Sequence, residues 1–258
     1  MLDIDNPIIS HNGMAVRIMS LIADDYCIYQ VYEIDYNGDI CELRLYYSSY
    51  RSESFEKDMK ERSLDHPINC SLLWPLDYID DGNMFGVITN RCPQNTIPLY
   101  DIFSGKNEFR SFTAMVNSSI SICSIFKSIT FTFPSVCDCY DFHVNIESGD
   151  ATLTNFEYLV PVHSYNQYAW NARNSAPSLV RGEKPSFKTS WYPLALLLFE
   201  LLLRTHPLVG VRTLTVPEMN DYYLQLCYGK DPIFIADPTD CSNRPSREIE
   251  GCRNYFKR

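Results

Sequence analysis

From Leu194 to Leu203 the chain carries apolar side chains on every helical face, interrupted only by Glu200. A helix without a polar face has to be enclosed by other protein. The run therefore predicts a nearly fully buried helix, Trp191 to Arg204, as the axis of a helical second half. It is too short to cross a bilayer, which takes about 20 apolar residues. With 258 residues, 45% hydrophobic and 21% charged, the chain is long enough for two lobes with cores of their own and too apolar for global disorder.

The first ninety residues read differently. Ile18 to Ile22, Tyr26 to Ile34 and Ile40 to Tyr47 are rich in β-branched and aromatic residues, and Asn37-Gly38 between the last two suits a tight hairpin. Ser54 to Leu64 changes period: Phe55, Met59 and Arg62 share one helical face behind a Ser52 or Ser54 cap. Two further strands, Leu72 to Leu76 and Met84 to Thr89, flank the turn Asp80-Asp81-Gly82-Asn83. The order is three strands, one helix, two strands.

After a break near Asn90 to Pro98, Phe112, Met115, Val116, Ser119, Ile122, Cys123 and Phe126 recur at three and four, the mark of one buried helical face. Short strands are expected around Phe142 to Val144 and Ala151 to Thr154, turning at Ser148-Gly149-Asp150. A long loop covers Glu157 to about Lys188, a further helix Val216 to Leu226, and a last helix follows Pro245.

A formal charge of -10 repels phosphate backbones and anionic lipid, and Arg253, Lys257 and Arg258 are too few to reverse that field. Neither nucleic acid nor membrane is an expected partner. Ten cysteines occur without a Cys-x-x-Cys pair, the closest spacing being Cys137-x-Cys139, and several sit inside apolar runs such as Ile122-Cys123-Ser124-Ile125. That pattern suits buried reduced thiols rather than a zinc site. With no basic-then-apolar leader, a cytoplasmic location is expected.

Several segments in the right order resemble a bacterial serine/threonine protein-kinase-like group. Ser71-Leu72-Leu73-Trp74-Pro75-Leu76-Asp77 followed by Phe85-Gly86-Val87-Ile88 is similar to the stretch leading into that group's hinge. Ala176-Pro177-Ser178 resembles its APE segment, and Leu194 to Arg204 with Thr205-His206-Pro207-Leu208 its central helix and exit. The most specific likeness is Tyr228 to Ile235 with Asp237-Pro238 and Ser242-Asn243-Arg244-Pro245. The resemblance implies an α+β, two-lobed kinase-like fold. Its small β-rich N-lobe would cover residues 1–92 and its mainly helical C-lobe 93–258, shortened at the C-terminus.

The same resemblance implies where phosphoryl-transfer groups would stand. That chemistry needs a glycine loop, a lysine, two Mg²⁺ ligands and a base. The glycine loop corresponds to Ser10 to Val16, where only Gly13 remains. The lysine corresponds to Arg44, and Ile88 falls in the nucleotide-binding stretch. Arginine keeps the charge but not the shape of lysine; its plain alternative is a strand residue facing solvent or an acid. The helix glutamate that should pair with it corresponds to Lys57, Asp58 or Glu61. The base corresponds to Val136, or to Asp138 if the loop is two residues shorter. The metal-binding asparagine becomes Asp141, and the DFG aspartate becomes Asn155 in Asn155-Phe156-Glu157. Amide and carboxylate are thus exchanged at the metal ligands, either as a tolerated swap or as drift after metal binding was lost. Ser178 and Ser190 replace two further acids, Ser190 as a cap of the central helix. His143, His163 and His206 lack nucleophile partners and read as packing residues.

The expected function is that of a pseudokinase, a catalytically impaired binding or regulatory module with a protein partner. The alternatives are a divergent ATP- and Mg-dependent kinase and a nucleotide-binding module without transfer.

Overall fold

A computed structural model describes residues 8–25, 28–64, 71–129, 141–159, 172–184, 186–216 and 220–245. The fold is mixed α+β, and the chain divides into two compact units, Met1–Gln94 and Asn95–Arg258.

The first unit is a six-stranded antiparallel sheet in the order β1-β2-β3-β4-β6-β5. Its strands are β1 (Ile8–Ile9), β2 (Ala15–Asp25), β3 (Tyr29–Tyr36), β4 (Asp39–Tyr46), β5 (Pro75–Asp80) and β6 (Phe85–Asn90). Asn37 and Gly38 adopt φ 55° and 94°, the left-handed pair that a two-residue hairpin turn needs. Gly38 N donates to Asp35 Oδ1 at 2.8 Å, which fixes the turn further. Alternation then sorts side chains by face. Val16, Ile18, Tyr32, Ile34, Cys41, Leu43, Ile79 and Ile88 form one buried cluster. Tyr46 and Phe85, paired in register, lie on the other face.

Helix α1 (Glu53–Arg62) covers that second face, with Phe55 edge-on to both Tyr46 and Phe85. The Ser52 hydroxyl caps it, accepting from Phe55 N at 3.2 Å, and Phe55, Met59 and Arg62 are its buried residues, as the period required. Strand β5 begins at Pro75 rather than Leu72. Leu72, Leu73 and Trp74 are buried ahead of it, with a single bridge at Leu72, so their apolar character serves packing more than strand pairing. Pro75, which has no N–H, opens an edge strand with a register irregularity before Asp77.

The second unit contains a small sheet of β7 (Ile97–Pro98), β8 (Phe142–Val144) and β9 (Ala151–Leu153) in that order. Its helices are α2 (Leu99–Phe103), α3 (Phe112–Ile129), α4 (Pro177–Val180), α5 (Phe187–Leu203), α6 (Val211–Leu214) and α7 (Asp221–Leu224). The expected helix over Val216 to Leu226 is only α7, which widens into a π-helical turn, Gln225–Lys230. The helix expected after Pro245 lies outside the described residues.

Helix α3 is long and apolar enough to cross a membrane by length and composition. In this unit it packs against α5 and β9, burying Ala114, Met115, Ser118, Ser119, Ile122, Ile125, Phe126 and Ile129. Phe112, expected on that face, is 69% exposed, because the buried stripe starts two residues later. Helix α5 departs from the expectation of near-complete burial. Leu194, Leu196, Leu197 and Leu201 are buried, but Ala195 is exposed, and Trp191 and Leu203 remain 42% and 45% exposed. Its burial is concentrated on some faces; leucine and alanine also serve its exposed ones, where they are good helix formers. Its N-cap is Ser186, whose N–H donates to Thr189 Oγ1 at 2.9 Å, so Ser190 lies within the first turn and is not the cap.

The Asn243 side chain ties the last described segment to the rest. Its Nδ2 donates to Leu208 O at 2.9 Å and Ile233 O at 2.7 Å, and its Oδ1 accepts from Thr213 N at 3.4 Å. The most specific motif of the sequence thus has a structural use.

Gly149 turns β8 into β9 at φ 85°, and a Cβ there would stand 2.1 Å from Ala114 O on α3. Gly149→Ala is expected to lower the stability of the second unit by about 2–4 kcal/mol, since strain and a backbone clash coincide. Urea unfolding followed by a probe in that unit checks this.

Candidate functional site

Arg44 sits in the middle of β4, opposite Val31 of β3 and Val87 of β6. It is 4% exposed, with its guanidinium carbon 5.2 Å from the centre of the Tyr29 ring. Strand alternation puts it on the α1 side of the sheet, two residues from Tyr46. It is therefore not the solvent-facing strand residue of the plain alternative.

All three candidate partners on α1 are engaged within the helix. Asp58 lies 2.5 Å from Arg62 Nη2, and Glu61 is 3.8 Å from Lys57 on an exposed face. Burial raises the Asp58 carboxyl above its ordinary value, although the Arg62 charge and hydrogen bond pull the other way.

Gly13 occupies the turn between β1 and β2 at φ 79°, bonded through Gly13 N to Ser10 O at 2.9 Å. Strand register puts this turn at the end of the sheet where Val16 faces Tyr36 and Tyr36 faces Asp39. Arg44 is five residues further along β4, about 17 Å at the usual strand rise. The turn is anchored to β5: Asn12 N donates to Asp77 Oδ2 at 3.3 Å, and the His11 ring stacks on Tyr78 at 4.4 Å. Ile88 pairs with Leu43 and belongs to the core cluster on the opposite face from Arg44. Gly13, Arg44 and Ile88 are thus not assembled into one site. The period of two separates Ile88 from Arg44, and strand length separates Gly13.

Sequence reasoning missed the residue nearest in chemistry to Arg44. Glu42, two positions earlier on the same face, is buried, and its Oε1 accepts from Cys92 N at 2.9 Å. Cys92 lies in the segment that leaves β6. Directly opposite Glu42 is Glu33, whose carboxylate pairs with Arg91 at 2.8 Å. The alternation Glu42-Leu43-Arg44 carried this signal: two charged residues flanking a core leucine must share the other face.

In the second unit, β8 and β9 bring the candidate metal ligands together. Phe142 pairs with Leu153, so Asp141 faces Thr154 and is one step from Asn155. Asp141 O accepts from both Thr154 N at 2.7 Å and Thr154 Oγ1 at 3.2 Å, and Asp141 is 6% exposed. Asn155 precedes a single turn, Phe156–Tyr158, anchored by the fully buried Phe156. Register thus brings the backbones of Asp141 and Asn155 near one another, whereas a magnesium ion takes about six oxygens. Among the described residues no group of three or more His, Cys, Asp and Glu side chains converges. Asp138, Val136 and His163 lie outside the described residues.

His206 behaves as a packing residue. It is buried, its Nδ1 accepts from Leu208 N at 3.2 Å, and desolvation, then the Arg173 charge, push its pKa down to about 3. Neither a scan against models of known protein families nor a search of curated proteins finds a match for this chain.

A histidine that charges at about 6.5 when unfolded and about 3 when folded favours folding fully above pH 6.5. Its contribution is lost as pH falls through that window, at up to about 1.4 kcal/mol per pH unit. Replacing His206 with Gln is expected to flatten the acid limb of stability between pH 6 and 4, as read from denaturant midpoints across that range.

Proposed function

We propose that this chain is a pseudokinase: a two-lobed kinase-like protein whose phosphoryl-transfer groups are degraded and which acts by binding a protein partner. The observation that carries the reading is the end of the β8–β9 hairpin, where Asp141 faces Thr154 and Asn155 follows it, with the chemistry of Asp141 and Asn155 exchanged relative to the resembling proteins. The first unit supports it too. Four strands, a helix and two strands follow one another there, and the residue in the lysine position is a buried arginine. Loss of a single well-placed electrostatic group commonly costs about 10²–10³ in rate, and several such positions depart here. The five described cysteines carry free thiols, in keeping with a cytoplasmic setting, and the charge of -10 favours a protein partner over nucleic acid or membrane.

One observation favours a divergent kinase instead. Asp141 and Asn155 together keep one carboxylate and one amide, so a divalent cation would meet the same total charge.

Purified protein is expected to incorporate no phosphate from radiolabelled ATP with Mg²⁺ or Mn²⁺, into itself or into generic protein substrates. Incorporation that vanishes in Asp141→Ala would establish the kinase reading; incorporation unchanged in that variant would mark a contaminant. Millimolar ATP without a divalent ion is expected to leave the melting temperature unmoved, whereas a ligand at 100 times its Kd adds about 2.7 kcal/mol.

A further inference from the structure

Helix α5 carries a second apolar seam, on the side turned away from its buried leucines. Trp191, Ala195, Leu198 and Leu202 follow one another at intervals of four, three and four residues. At 3.6 residues per turn they lie within about 60° of each other, in a strip about 17 Å long. Trp191 is 42% exposed, Ala195 is exposed, and Leu198 and Leu202 are half-buried. Leu194, Leu196, Leu197 and Leu201 bury the rest of the circumference. Glu200, the one acid of the helix, lies about half a turn round from Trp191 and is held by Arg173 at 3.0 Å. Phe199 meets Phe234 edge-on at 5.6 Å, at the rim of the strip and not on it.

A contiguous exposed apolar strip marks an interaction surface, and three features select a second copy of this chain as its occupant. The interval four-three-four is that of a two-helix seam, and it reads the same in either direction. A strip that is its own reverse meets the two-fold symmetry of an antiparallel pair, in which one patch faces itself. Side-chain size agrees with that direction. Trp191 would stand opposite the second copy's Leu202, and Ala195 opposite its Leu198, so bulk is shared between layers. A parallel pair would set tryptophan against tryptophan and leave a gap between two alanines. Charge agrees as well. At a formal charge of -10 two copies repel over most of their surface, yet no residue of the strip is charged. Lys188, exposed one turn before Trp191, would lie beside the C-terminal end of the second copy's helix, where the dipole favours a cation.

We propose that the face of α5 formed by Trp191, Ala195, Leu198 and Leu202 is a self-association surface, through which two copies of the chain pair antiparallel about a two-fold axis. The strip is shorter than two heptads, so its area falls at or below the low end of the roughly 1,200–2,000 Å² of standard interfaces. The dimer is accordingly weak and reversible, with a Kd in the micromolar range.

The test is sedimentation of the full chain from about 1 to about 300 μM, the span that a micromolar Kd requires. The wild type is expected to pass from monomer to dimer across it. Ala195→Glu and Trp191→Glu, both at exposed positions, are expected to keep the wild-type circular dichroism. Each should weaken association at least about a hundredfold, because a carboxylate would be enclosed there without a partner. An equimolar mixture of Ala195→Glu and Ala195→Lys is expected to recover the dimer, since the two 195 positions of an antiparallel pair stand only about 4.5 Å apart along the axis. A wild type that stays monomeric throughout leaves the strip to some other partner and overturns the proposal. So does a dimer that folded Ala195→Glu and Trp191→Glu leave intact, because the contact then lies elsewhere. A mixture that stays monomeric refutes the antiparallel pairing. If both glutamate variants fail to fold, those positions are structural and the proposal is likewise overturned.

Discussion

Among the described residues four charged side chains are buried in the smaller unit, and its construction follows from what each one requires. A charge leaving water costs several kcal/mol unless a partner replaces the solvent. Asp77 is satisfied by the Tyr36 hydroxyl at 2.9 Å and by the amides of Asn12 and Tyr78. Those bonds fasten the turn of Ser10 to Met14 to β5. Arg62 is held by Asp58 and stacked at 5.7 Å over Trp74, whose Nε1 donates to Arg62 O at 2.9 Å. That pair closes the C-terminal end of α1 against the chain leading into β5. Glu42 is held by the Cys92 amide and Arg44 lies over Tyr29, so β4 is tied both to the segment after β6 and to β3. The hydrophobic clusters supply burial; the charged residues fix how the pieces are joined.

Where the local signal was strong, the sequence was legible. Asn37-Gly38 could make only a left-handed turn at low cost, and the turn fixed the register of β3 on β4. The spacing of Phe55, Met59 and Arg62 gave the buried face of α1, and Gly149 marked the turn into β9. Where signals came only from apolar content, the reading drifted. Leu72 to Trp74 are as buried as strand residues yet lie ahead of the ladder that β5 makes with β6, which starts at Pro75, because burial and pairing are separate demands. Helix α5 looked the same from all sides in sequence, but a helix is buried only where a neighbour lies, and composition does not say where.

The candidate site shows the same division more sharply. A motif aligned along the chain assigns residues to roles one at a time, whereas a site requires them to share a face and a height on the sheet. Ile88 met the linear criterion and failed the facial one; Gly13 met it and failed on distance. Glu42 met no motif, yet alternation alone set it beside Arg44, so the pattern charged-apolar-charged in β4 was the better guide to what that face contains.

The placement of Asp141 one step from Asn155 is of a different origin. It is set by hairpin register and does not depend on the identity of residues 141 and 155, since Asp141 receives its bonds on its backbone O, from the backbone N and hydroxyl of Thr154. Such a frame persists when the ligating residues change. A scaffold that holds two oxygen donors in place, whichever one bears the charge, preserves geometry after selection on chemistry is relaxed. The packing around it has independent reasons to stay: Phe142 and Phe156 are fully buried, and Ser121 of α3 bonds Ala151 N at 3.0 Å. The exchanged pair is therefore poor evidence of retained catalysis, since the same arrangement would stand as long as the hairpin folds.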